Sequence, residues 1–175
     1  LIEKMGGTIT FESAEGIGTT FVIRVPFKID LDADKREESK DVSEKSIKGM
    51  HVLLAEDNEL NMEIAEFLLQ NEGAEVTRAW NGQEIVELFR KSESGEFDVI
   101  LMDIMMPIIN GYEAAKRIRS LDREDAKKIP IIAMTANAFT EDRIRAKEAG
   151  MDEHVAKPID VELLIKVIHK LVKHN

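Results

Sequence analysis

From Gly49 onward, short apolar runs alternate with longer stretches whose apolar residues recur at helical spacing. The runs Met50 to Ala55, Ala74 to Ala79, Phe97 to Asp103, Ile129 to Thr135 and Met151 to Ala156 read as strands. Between and after them the spacing predicts five helices. Leu60 to Asn71 carries apolar residues at Leu60, Ile64, Phe67 and Leu68, and Gly73 can stop it. Asn81-Gly82 turns the chain into Gln83 to Lys91, with Ile85, Val86 and Phe89 inward. Asn110-Gly111 leads into a helix whose apolar positions are Tyr112, Ala115 and Ile118. Thr140 caps Glu141 to Glu148, which Gly150 closes. Asp160 caps a last helix with Leu163, Leu164, Val167, Ile168 and Leu171 on one face. This strict alternation predicts an α/β fold, a doubly wound five-stranded parallel sheet with five helices covering both faces.

The first part of the chain follows a different pattern. Gly7 to Ser13 and Thr19 to Val25 have β character and are joined by Ala14-Glu15-Gly16-Ile17-Gly18, which reads as a hairpin. Lys28 to Lys48 is almost wholly charged, small or polar, too poor in apolar surface to offset the entropy of ordering. Three zones follow: a hairpin fragment over 1–27, a flexible charged linker over 28–48 and the α/β domain over 49–174. An isolated hairpin is marginal in water, so the first zone is expected to be poorly anchored alone.

Composition narrows the choice of function. The 175 residues suffice for one full domain and a fragment, and 43% hydrophobic content supports a proper core. A formal charge of −10 argues against nonspecific nucleic-acid binding, which needs a basic face. The lack of cysteine excludes disulfides, thiol catalysis and cysteine zinc sites. The longest apolar candidate, Val99 to Ile109, is interrupted by Asp103 and Pro107, short of the roughly 18 residues a membrane helix needs. Leu1 is not an initiator methionine, and no signal segment opens the chain. These features predict a cytoplasmic piece of a longer polypeptide, whose missing part can be membrane-anchored.

Candidate chemistry gathers where strands stop. Glu56 and Asp57 follow the first strand of the α/β domain, Asp103 ends the third, Thr135 the fourth, and Lys157 follows the fifth. A carboxylate at the end of a buried strand is costly unless something there uses it. In doubly wound sheets, ligands bind beyond the carboxyl ends of the strands, at the switch in strand order. Acid pair, acid, hydroxyl and ammonium all fall on that edge.

These stretches are similar to one family. Leu54-Ala55-Glu56-Asp57-Asn58, Leu101-Met102-Asp103-Ile104-Met105-Met106-Pro107, Met134-Thr135-Ala136-Asn137-Ala138 and Gly150-Met151-Asp152-Glu153-His154-Val155-Ala156-Lys157-Pro158 resemble the receiver domain of two-component signalling proteins. The wording Asp57-Asn58-x-x-Asn61 resembles receivers fused to hybrid sensor histidine kinases. Glu3 to Ile9 and Glu15 to Phe21 resemble the C-terminal end of a histidine-kinase ATP-binding domain. The other glycine and metal boxes of that ATPase are missing, so the expectation is no ATP binding by the hairpin.

The resemblance implies a flavodoxin-like sheet of order 2-1-3-4-5 and a phosphoryl group accepted on Asp103 from phosphohistidine. It implies Mg²⁺ held by Glu56, Asp57, Asp103 and the backbone carbonyl of Met105, with Thr135 and Lys157 on phosphoryl oxygens. Mg²⁺ suits a few hard oxygen ligands and retains waters, and phosphoryl transfer asks mainly for positioning and charge stabilisation. Thr135 and His154 are the implied switch residues, and the Lys157–Pro158 bond is implied to be cis. Three positions depart from the family wording: Ile109-Asn110 stands for Met-Asp, and His154 stands where relatives carry Tyr or Phe. Histidine titrates near neutrality and can make a switch pH-sensitive, or can be a solvated strand-end residue. Met102, Met105 and Met106 read as packing residues, and His51, His169 and His174 as surface or strand-end residues without a metal pattern.

The leading expectation is a phosphorelay module. It takes phosphate from a kinase phosphohistidine domain and passes it to a histidine phosphotransfer protein, docking along the helix that begins at Leu60. The alternative is a receiver that regulates its tethered kinase by phosphorylation-dependent interaction. An aspartate-nucleophile phosphatase is disfavoured, because Met105 stands where that chemistry usually needs a second aspartate. The receiver catalyses its own phosphorylation and dephosphorylation in this reading, while the kinase core lies outside the chain. A weak dimer through the last two helices and direct contact with neither nucleic acid nor membrane complete the expectations.

Overall fold

Strand-forming runs flanked by turn residues become a five-stranded parallel sheet in the computed structural model, which describes residues 2, 6–14, 16, 18–26, 46–136 and 140–172. Contacts divide the chain into two units, Leu1–Asp41 and Val42–Asn175. In the first unit, β1 (Thr8–Ala14) and β2 (Gly18–Arg24) form an antiparallel hairpin. Phe11 and Phe21 face each other across it, with ring centroids 5.8 Å apart. Linker residues 28–45, Glu15, Ile17, Asn137, Ala138 and His174 lie outside the described residues.

The second unit contains β3 (His51–Ala55), α1 (Glu59–Asn71), β4 (Glu75–Ala79), α2 (Gly82–Lys91) and β5 (Val99–Asp103). There follow α3 (Gly111–Arg119), α4 (Glu124–Lys128), β6 (Ile131–Thr135), α5 (Thr140–Glu148), β7 (Glu153–Ala156) and α6 (Val161–Val172). The sheet order is β4-β3-β5-β6-β7, the 2-1-3-4-5 arrangement expected for these five strands. Alternation along each strand sends side chains to opposite faces. Leu53, Ile100, Met102, Ile131 and Ala133 pack with α2, α3 and α5 through Ile85, Phe89, Ala115, Ile118 and Ala146. Val52, Leu54, Leu101, Ile132 and Val155 pack with α1 and α6 through Met62, Leu69, Leu164 and Ile168. Ile47, near the end of the expected linker, is fully buried in that second cluster.

Asparagines start three helices. Asn58, Asn81 and Asn110 each accept backbone N–H bonds from the first turn that follows. Asp160 Oδ1 accepts from Leu163 N at 3.1 Å, as its cap position predicts. Among the described residues, no helix is long and apolar enough to cross a membrane.

The inward residues of α1 are Met62, Ala65 and Leu69, while Leu60 and Phe67 are each 64% exposed and Ile64 49%, in keeping with an outward row on the expected docking helix. Other local readings need correction. Leu163 is likewise exposed, and Ile165 takes its place inside α6. Met102 and Met106 are buried, whereas the Met105 side chain is 78% exposed and packs into no core. Among the described residues, His169 Nε2 is buried without a hydrogen-bond partner, unlike a surface histidine. Helix α4 lacks an apolar period and adds to the five helices that spacing predicts; it buries Ala126.

Two arginines secure this region. Arg119 donates to the carbonyls of Gly150 and Ala126 and to Asp152, all at 2.8 Å. Arg123 lies over the Phe89 ring and donates to the carbonyls of Phe89, Ser92 and Glu93. Its guanidinium also forms a two-bond pair with Asp125.

Candidate functional site

Strand register assembles the site. Ala55 pairs with Met102, Asp103 with Met134, and Thr135 with Ala156. Glu56 therefore emerges beside Asp103, and Thr135 and Lys157 emerge one and two strands further on. The Glu56 amide donates to the Ala79 carbonyl and Ile104 N donates to the Met134 carbonyl, pinning the loop starts to neighbouring strand ends. The Lys157 amide donates to the Thr135 carbonyl at 2.8 Å, which sets the depth of the lysine backbone.

Glu56, Asp57 and Asp103 each place a carboxylate oxygen within 4.8 Å of the others. Glu56, Asp103 and Thr135 are buried, while Asp57 opens to solvent. Hard anionic oxygens at this separation, with one exposed member leaving room for water, match the ligand chemistry of Mg²⁺. Lys157 Nζ stands 2.9 Å from Asp103 Oδ2 and also bonds Glu56 Oε2. Burial pushes the Asp103 carboxyl upward; Lys157 offsets part of this and the Glu56 charge adds to it. For Lys157, burial acts downward, but its bonds with Glu56 and Asp103 outweigh it and leave the ammonium raised. The loop after β5 folds back, so that Met105 N donates to Asp103 Oδ1 at 3.2 Å.

Gly111 permits that return. Its N–H donates to the Ile104 carbonyl, and a Cβ there would be driven into the Asp103 carbonyl. Ile108, two residues earlier in the same loop than Asn110, has φ 68°, an uncommon backbone for a β-branched residue. The Lys157–Pro158 peptide is cis.

Of the expected site residues, Glu56, Asp57, Asp103 and Lys157 converge, and Thr135 adjoins them through the β6–β7 ladder. His154 is not among the residues that converge with Glu56, Asp57 and Asp103. It lines a separate cavity of about 370 Å³ between α5 and β7, with Arg143, Ile144, Lys147, Met151 and Glu153. Its Nδ1 is 3.2 Å from Glu153 Oε1, and Glu153 also faces Lys170 of α6 at 3.5 Å. Sequence reasoning assigned no role to Asn61, whose side-chain amide donates to Glu56 Oε1 at 3.0 Å. The signal was its place one turn after the Asn58 cap, which returns it to the same end of α1.

Residues 52–169 match the response regulator receiver domain family. The chain is 40% identical over 120 residues to hybrid signal transduction histidine kinase I of Dictyostelium discoideum, covering 67% of this chain and 7% of that protein. It is 33% identical over 171 residues to the aerobic respiration control sensor protein ArcB of Escherichia coli K12, covering 97% of this chain and 21% of ArcB. The chain thus spans a small part of the curated relatives it matches. Among solved structures, the receiver domain of sensor histidine kinase PA1611 from Pseudomonas aeruginosa, with magnesium coordinated in its active-site cleft, is 34% identical. That match has a TM-score of 0.64 and covers 71% of this chain and 98% of the other. A co-crystal of the Saccharomyces cerevisiae phosphotransfer protein Ypd1 with the Ssk1 receiver domain matches at 29% identity and TM-score 0.64, covering 72% and 90%. Through the α/β unit that carries the acidic nest, the chain belongs to the response regulator receiver domains.

Proposed function

We propose that the domain accepts a phosphoryl group on Asp103 from a phosphohistidine and passes it to a histidine phosphotransfer protein. The observation that carries this reading is the convergence of three carboxylates with Lys157 Nζ at 2.9 Å from Asp103 Oδ2. An Asp103 oxygen bonds to phosphorus as the phosphorus–nitrogen bond breaks, and the imidazole leaves with the electron pair and takes up a proton. Glu56, Asp57, Asp103 and the Met105 carbonyl would hold Mg²⁺, which when bound supplies positive charge against the phosphoryl oxygens. The Lys157 ammonium moves from its carboxylate partners to a phosphoryl oxygen, and the Thr135 hydroxyl takes another. Negative charge on phosphorylated Asp103 then biases the β6–α5 region, with Thr135 and His154 as its switch residues.

The partner reading draws support from the Ssk1 receiver domain, a relative in fold that was crystallised with the phosphotransfer protein Ypd1. Here the exposed Leu60, Ile64 and Phe67 on α1 provide an apolar face on the helix that starts beside Asp57. We assign that face to the phosphotransfer protein and the phosphohistidine domain of a kinase to the donor. The hairpin β1–β2 is read as the end of a kinase ATP-binding domain, supported by the 171-residue match to ArcB. A cytoplasmic location and a weak dimer through α5 and α6 belong to the same reading, the latter supported by exposed Ile144 and Leu163. The decisive experiment is mass-spectrometric detection of an acid-stable, alkali-labile phosphoryl adduct after acetyl phosphate and Mg²⁺. Label is expected on the parent and absent from Asp103→Asn; label retained in the variant overturns the assignment.

A further inference from the structure

Glu56 is held from two sides. Its Oε2 bonds the Lys157 ammonium, and its Oε1 accepts from Asn61 Nδ2 at 3.0 Å and from the Asn58 amide at 3.4 Å. The carboxylate is buried, while Asn61 sits on the solvent-facing side of the first turn of α1. Asn61 thus lends a neutral donor to a buried acid without adding charge to the nest. Without it, Glu56 can rotate both oxygens onto Lys157, the one cation shown bonded to it among the described residues. That rotation would set lysine and metal in competition for the same carboxylate.

We infer that Asn61 is the positioning residue for Glu56. Its side-chain amide retains Oε1 so that the carboxylate remains aimed into the nest and available to a divalent cation. This inference rests on the reading of the nest as a cation and phosphoryl site, and deepens it by one residue. Outer hydrogen bonds to ligating carboxylates commonly govern metal affinity. A merely structural role for Asn61 would be the capping of α1. The cap bond, however, uses the Asn61 backbone N–H to Asn58 Oδ1 at 3.1 Å, which any substitution except proline keeps.

The test is Mg²⁺ titration of the full chain and of Asn61→Ala, Asn61→Leu and Asn61→Gln, followed by calorimetry and by Trp80 fluorescence. Asn61→Ala and Asn61→Leu are expected to weaken Mg²⁺ binding about 10- to 100-fold, in line with losses of outer-sphere partners. Asn61→Gln, which keeps an amide donor, is expected to recover part of that loss. In metal-free protein, the Asn61 side-chain amide resonances should shift when Glu56→Gln is introduced. Mg²⁺ affinity within about twofold of the parent in both Asn61→Ala and Asn61→Leu overturns the inference. So does a loss of affinity that merely follows a loss of folded protein in thermal melts. A parent chain that binds no Mg²⁺ instead overturns the reading on which this one stands.

Discussion

The Lys157 ammonium lies 2.9 Å from Asp103 Oδ2 and is bonded to Glu56 as well, so one lysine serves two buried carboxylates at the end of the sheet. Desolvation opposes ionising all three groups, and the bonds among them offset that cost only when geometry is maintained. The arrangement leaves Asp103 with its pKa raised, chiefly by burial. A raised carboxyl is a site awaiting more positive charge than lysine alone provides.

This has a consequence for stability against pH. The folded domain binds the Asp103 proton more tightly than the unfolded chain, whose carboxyl titrates near the ordinary 3.8. Its contribution is therefore fully present below that value and is lost as pH rises through the raised folded value. In urea unfolding with EDTA, stability from this group should decline from pH 4 upward, and Asp103→Asn should flatten the slope. Mg²⁺ at 100 times its dissociation constant should then add about 2.7 kcal/mol at neutral pH. An unchanged slope in the variant would assign the pH dependence to other carboxylates.

Arg123 should matter for folding and not for chemistry. Its guanidinium joins α2, α4 and the loop between α2 and β5 through three carbonyls, Asp125 and the Phe89 ring at 4.7 Å. Lysine cannot reproduce that fork. Arg123→Lys is expected to cost about 2–3 kcal/mol in denaturant unfolding, with labelling at 25 °C unaltered. Asp125 has a pKa lowered to about 2, first by its bond with Arg123. Its contribution is present above 3.8 and disappears as pH falls toward 2, the opposite sign to Asp103. Arg123→Lys should diminish that acid-side dependence.

Gly111→Ala is expected to damage both folding and chemistry. The added Cβ collides with the Asp103 backbone carbonyl, which cannot swing aside as a side-chain end would. A cost of about 3 kcal/mol follows from overpacking at a fixed backbone. The loop displaced is the one that returns Met105 N to Asp103 Oδ1. Labelling should drop beyond the unfolded fraction measured by circular dichroism. A stable, fully labelled variant would show that this loop tolerates rearrangement.

The site was legible in sequence because four strand ends each carried a residue that a buried strand end does not need. The central strands β3, β5 and β6 were legible because strands buried on both faces are continuously apolar, while the edge strand β4, mostly exposed, carries a weaker signal. Helix α1 was harder. It carries one apolar row at Leu60, Ile64 and Phe67 and another at Met62, Ala65 and Leu69, and periodicity alone does not say which one meets the sheet. Helix α4 was invisible because Ala126 alone is buried and much of its hold comes from distant partners that sequence spacing does not reveal, Arg119 on the Ala126 carbonyl and the Gly95 N–H on Asp125. Asn61 stood out only as part of the family wording, and its bond to Glu56 was hidden because that partner precedes the helix in a different element.

The outward row of α1 makes the partner reading testable without touching the nest. Leu60 and Phe67 are each 64% exposed, so polar replacement there removes little core packing. Leu60→Ser with Phe67→Ser should leave unfolding midpoints and acetyl phosphate labelling nearly unchanged. If a phosphotransfer protein seats on this row, buried anchors of this size carry about 1–2 kcal/mol each. Phosphoryl transfer to that protein at subsaturating concentration should then slow by about 30- to 700-fold. Equal transfer rates from parent and double variant would move the docking face elsewhere. Slower labelling by acetyl phosphate would instead indicate that the row supports the acidic nest, since α1 begins directly beside Asp57.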